Sequence, residues 1–195
     1  MFSRPSQSRG TITSLLLVFS ISTSFAQNDD SDFVKNRNSS PFWHNSLKRD
    51  IQGFRPGLTE SEVKHQMPSC EVSAHKFQCP VSSGEHFELS LTEQTKPRLV
   101  KDVTYIFPAG GATSETMAKN VMAQFAVGKP GQCLPSPQGL NECSQWQLED
   151  GSYMQLAVGL YRSEMVLYLS TPKWIADLEK QTFETEQGKI PPRKF

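Results

Sequence analysis

The four cysteines fall in two close pairs, Cys70 with Cys79 and Cys133 with Cys143, and each pair follows a proline that ends a helical stretch. This placement restricts the fold more than any other feature. Two such pairs displaced by roughly 60 residues read as one supersecondary unit written twice. Three pairings of four cysteines are open in principle, and the repetition favours the local one.

In the first copy the helix is heavily punctuated. Thr59 is an N-cap with Glu62 three residues on, a capping box, and Leu58 and Val63 form a hydrophobic staple across it. Pro56 and Gly57 mark the turn before the helix, and Pro68 closes it, because the residue before a proline disfavours the helical region. Three strands are expected next: 70–79 broken near Ala74, 86–92 with Phe87, Leu89 and Leu91 alternating, and 99–107 with Val103, Tyr105 and Phe107 on one face.

The order then repeats. Thr113 or Ser114 caps a helix with Met117, Val121 and Phe125 on one stripe, Gly128 is its expected C′ residue and Pro130 follows. Strands are expected at 144–149, at 152–158 after an Asp150-Gly151 turn, and at 164–170. That last run, EMVLYLS, is apolar on both faces and is expected to be covered on both sides. Thr171-Pro172 opens a final helix, with Trp174, Ile175 and Leu178 on its docking side. The expected fold class is α+β: a tandem helix-plus-three-stranded antiparallel sheet repeat with a C-terminal helix and two local disulfides.

The ends read differently. Arg4 and Arg9 precede an apolar run from Ile12 to Ile21, and Ser24-Phe25-Ala26 has the small-x-small form of a cleavage site. Residues 1–26 are therefore expected to be a signal peptide cut between Ala26 and Gln27, since an apolar run of about 10 residues is too short to span a bilayer. Residues 27–50 read as a flexible lead-in in which Phe42-Trp43 is the only aromatic pair, 51–111 as the first repeat, 112–186 as the second with the final helix, and 187–195 as a flexible tail. Beyond residue 26 the chain carries 18 basic and 20 acidic residues, a balance that gives no electrostatic footprint for nucleic acid. The expected location is exported, periplasmic or secreted, with no stable membrane anchor, and four cysteines in such a compartment are most simply disulfides.

Gly57-Leu58-Thr59 followed by Val63 and Pro68 resembles the signature of small envelope proteins built on a helix-pair-and-sheet module, which runs Gly-Met-Thr, a helical Val and Gly-x-Pro. The outer-membrane assembly small lipoprotein family and the tandem β-lactamase inhibitor protein-like modules are of this kind. Leu58 stands where the signature has Met, Met67 replaces the glycine, and Gly128-Lys129-Pro130 matches the Gly-x-Pro end in the second copy. The resemblance implies a non-catalytic protein that presents a sheet surface to another envelope or secreted protein. No partner-contact residue carries over, and the family's lipid-attachment cysteine has no counterpart here.

Catalytic signatures are sparse. Neither cysteine spacing fits a Cys-x-x-Cys redox pair, no Gly-x-Ser-x-Gly elbow occurs, and Glu149-Asp150 sits at a hairpin tip. Pro108-Ala109-Gly110-Gly111 lacks the Lys-Ser/Thr of a phosphate loop. His65, His75 and His86 have no close ligand spacing, although His75 and His86 flank one turn, so a metal there stays open. No cofactor is expected. The alternative is a small-ligand or metal carrier, or an enzyme, whose site assembles from His75, His86, Tyr105 and Trp146.

Overall fold

A computed structural model describes residue 35 and residues 49–133, 140–159 and 163–188. The signal-peptide reading, its Ala26–Gln27 cleavage point and the Phe42-Trp43 pair lie outside the described residues. Residues 49–188 form helices α1 (Glu60–Gln66), α2 (Ser114–Phe125) and α3 (Lys173–Gly188). The strands are β1 (Glu71–Val72), β2 (Lys76–Ser82), β3 (Glu85–Leu91), β4 (Val100–Pro108), β5 (Gly131–Gln132), β6 (Leu140–Gln147), β7 (Tyr153–Gly159) and β8 (Glu164–Leu169). Each half thus runs helix, two-residue strand, three longer strands.

The strands make one antiparallel sheet in the order β1-β2-β3-β4-β8-β7-β6-β5. The two halves meet at β4 and β8, where Val103 pairs with Leu169 and Pro108 with Glu164. The arrangement is that of two like units joined edge to edge about a local twofold. Each unit hides one strand edge of the other, which removes two exposed edges from the molecule.

The register explains the core. Phe77, Leu89, Val103, Leu169, Met154 and Trp146 form a continuous row across six strands. All six are buried, Phe77 to 1% and Leu89, Val103 and Met154 to 0% exposure. The next row on this inner face holds Cys79, Phe87, Tyr105, Leu167 and Leu156. Phe87 stacks on Tyr105 at 4.5 Å and meets Phe54 at 4.8 Å. The helix side chains packed on the sheet, Val63 of α1 and Ala118, Val121 and Phe125 of α2, all join this inner core.

The short α1 forms for the reason its sequence announces. Glu62 N–H donates to Thr59 Oγ1 at 3.2 Å, and Thr59 N–H donates to Glu62 Oε2 at 2.8 Å. A helix of 7 residues is marginal alone, so its anchors matter. The preceding turn pairs with β4 through Gly57 N–H to Val100 O and Val100 N–H to Leu58 O, both 2.7 Å. Val63, exposed to 0%, then plugs the inner face. At its far end Lys64 Nζ donates to the carbonyl of Cys70.

The expected break near Ala74 is present at Ser73–His75 and divides 70–79 into β1 and β2. The structure departs from the sequence reading in four places. Helix α2 ends at Phe125 with Ala126 in the left-handed region at φ 51°, two residues before the expected Gly128; the Gly128 carbonyl instead accepts the Trp146 indole N–H at 2.9 Å. In β8 only Met165, Leu167 and Leu169 are buried, while Val166 and Tyr168 stay half-exposed on the other face. Helix α3 continues to Gly188, into the expected tail, because no breaker intervenes before that glycine.

The fourth concerns the disulfides. Both expected bonds are present, Cys70–Cys79 and Cys133–Cys143, each one register step beyond an edge-strand pair. They are not equivalent. Cys79 lies opposite Phe87 on the inner face, whereas Cys143 lies opposite Ala157, which itself faces Val166, on the outer face. The first bond ties the exit of α1 to the sheet, and the second clips the far end of β5.

Candidate functional site

The outer face of the sheet is the candidate site. Two rows cross it from β2 to β6. One runs Gln78, Glu88, Thr104, Tyr168, Gln155 and Gln145, and the other runs Pro80, His86, Ile106, Val166, Ala157 and Cys143. The first is polar and the second largely apolar, so the face is amphipathic across the strands. Tyr153 lies diagonal to Tyr168 with ring centroids 5.8 Å apart.

Hydrogen bonds hold the polar row in place. Gln155 Nε2 donates to Gln145 Oε1 at 2.9 Å. Lys76 Nζ and Gln78 Nε2 both donate to Glu88 Oε1, at 3.3 and 3.5 Å. Most side chains in both rows are half-exposed, with Gln155 and Ala157 buried near the centre. Ordered amides and phenols on a stiff sheet lose little entropy when a partner covers them.

At one end of the face lies Asp102, in the row with Lys76 and Ser90. Burial pushes its carboxyl above the ordinary range; a hydrogen bond with Ser90 and the charge of Lys101 oppose the rise, and the nearby Glu179 of α3 adds to it. The Tyr168 phenol is pushed up strongly, first by burial and then by Asp102 and Tyr153. The Tyr168 phenol therefore stays protonated and can donate a hydrogen bond. Helix α3 borders this end, where Glu93 N–H donates to Glu179 Oε1 at 3.1 Å.

The residues of the alternative site do not come together. His86 is on the outer face of β3, whereas Tyr105 and Trp146 point to the inner face, and His75 is exposed in the turn before β2. Tyr105 is stacked between Phe87 and Phe107, and Trp146 is 3% exposed. Among the described residues no group of three or more His, Cys, Asp or Glu side chains is placed to hold a metal ion. No described helix is long and apolar enough to cross a membrane.

A cavity of about 520 Å³ lies at the β6 edge between Arg49, Gly128, Lys129, Gln145, Gln147 and Glu149. Sequence reasoning missed it because its walls come from three separated stretches. Set against known protein families, curated proteins and solved structures, the chain matches none.

Proposed function

We propose that this chain is an exported, non-catalytic interaction module that binds another protein of the cell envelope through the outer face of its sheet. The observation that carries the reading is the pair of outer-face rows, unbroken across six strands because β4 pairs with β8. Six strands at about 4.8 Å spacing and two rows about 7 Å apart along them give a footprint of roughly 400 Å². That is the same order as the ~800 Å² per partner of a standard interface. Tyrosine beside apolar side chains, with charge kept to the margins, is the composition of an interface centre. Two disulfides suit an oxidising compartment, and the apolar segment at 12–21 suits export to one.

The test is affinity capture from an envelope extract, with the wild type and with Thr104→Arg/Tyr168→Ala as parallel baits. Both positions are half-exposed, so the variant keeps its core. The reading expects one protein retained by the wild type and lost from the variant. Equal retention by both, or substrate turnover by the pure protein, would refute it.

A further inference from the structure

The sheet ends abruptly at β6. Its outer neighbour β5 has two residues and pairs only Gly131 with Gln145 and Gln132 with Ser144. Leu148 N–H donates to Ser152 O across the β6–β7 hairpin at 2.9 Å. Since successive residues of a strand aim their backbone groups at opposite edges, the N–H and C=O of Gln147 point away from β7, toward the place β5 would occupy if it were longer. No backbone group among the described residues pairs with them.

The chain that would fill this position turns aside. Gly128 gives its carbonyl to the Trp146 indole, and Lys129 and Pro130 lead obliquely into β5. The result is the cavity of about 520 Å³, walled by Gly128, Lys129, Gly131, Gln147, Glu149 and Arg49. A Cβ on Gly128 would meet nothing within 4 Å, and one on Gly131 would meet only the Gln145 carbonyl at 3.9 Å. Both glycines thus border open space. Two cations and one carboxylate give the cavity rim a net positive charge.

We propose that this gap takes an extended acidic segment of another protein as a short added strand, antiparallel to β6. Peptide C=O accepts from Gln147 N–H, peptide N–H donates to Gln147 C=O, and carboxylates of the segment pair with Arg49 and Lys129. Main-chain pairing of this kind supplies affinity independent of sequence, and the flanking charges supply selectivity. The site lies at the β6 edge of the sheet and adjoins the outer face at Gln145.

The probe is a fluorescein-labelled hexapeptide of alternating threonine and valine ending in aspartate and glutamate, read by anisotropy on the full chain. A version ending in two lysines is the control. Saturable binding is expected for the acidic peptide alone, weakened about tenfold by Lys129→Glu and again by Arg49→Glu. Hydrogen exchange at the Gln147 amide should slow at least tenfold in the complex. Absence of saturable binding, binding that survives both charge reversals, or an unchanged Gln147 amide would overturn the proposal.

Discussion

Removing the disulfides one pair at a time probes the doubled architecture directly. Cys70–Cys79 closes a loop with sequence separation 9 and Cys133–Cys143 one with separation 10. The loop-entropy relation assigns each about 2.7 kcal/mol at 25 °C. The cysteines sit at β2 and β6, five strand steps apart in the sheet order, about 24 Å at ~4.8 Å per step. Sites that far apart act independently, so both losses together should cost about 5 kcal/mol. Alanine is the replacement of choice, because Cys70 and Cys79 are exposed to 1% and 0% and a serine would bury an unpaired hydroxyl. The first pair is buried on the inner face and should cost a further ~1 kcal/mol of packing. Urea titration and thermal melts measure the result, with peptide mapping under non-reducing conditions showing that the remaining bond is intact. The Cys133/Cys143 double alanine variant should melt roughly 9 °C lower and the Cys70/Cys79 one roughly 12 °C lower, and the fourfold variant should lose an amount that approaches the whole stability of a small domain. A pair whose removal leaves the melting temperature unchanged, or losses that fail to add, would refute the picture of two independent clips.

Three further outcomes follow from particular contacts. Phe87→Ala opens a void between Phe54 and Tyr105 at 4.8 and 4.5 Å, and should cost about 4 kcal/mol by chemical denaturation. Thr59→Ala removes both hydrogen bonds that its hydroxyl makes to Glu62 and should cost about 1 kcal/mol, with faster exchange across α1 as the marker. Asp102 has its carboxyl raised by burial, so folding favours the protonated form: its contribution is fully present below the ordinary carboxylate range and fades as pH rises through the raised value. Asp102→Asn should therefore stabilise the protein at neutral pH and leave it unchanged in strong acid, a convergence of the two proteins' stabilities that melts at a series of pH values would show.

What the sequence disclosed was local. The Thr59–Glu62 box, the Asp150-Gly151 turn and the alternation of Phe87, Leu89 and Leu91 each involve neighbours a few residues apart, and they formed where those neighbours required. The joining of Val103 to Leu169 spans 66 positions in the chain and leaves no mark in either strand. The outer face follows from that pairing and was equally hidden: Val166 and Tyr168 read as core because they are apolar or aromatic, and only the register puts them beside Ala157 and Gln155. Similar cysteine spacing suggested equivalent clips, but a one-step difference in strand parity places Cys143 on the opposite face from Cys79, as the period of two in a strand dictates. Two-residue strands such as β5 are too short for any periodicity, so the gap at Gln147 had no sequence signal.

The most direct measurement is site-specific photo-crosslinking in cells that make the protein. A benzophenone side chain would replace Thr104 or Tyr168 on the outer face, or Lys119 or Gln124 on the exposed side of α2. A sheet face used for recognition gives one adduct of the same mass from both strand positions and none from the helix. Adducts from α2 alone, or equally from both sides, would contradict it.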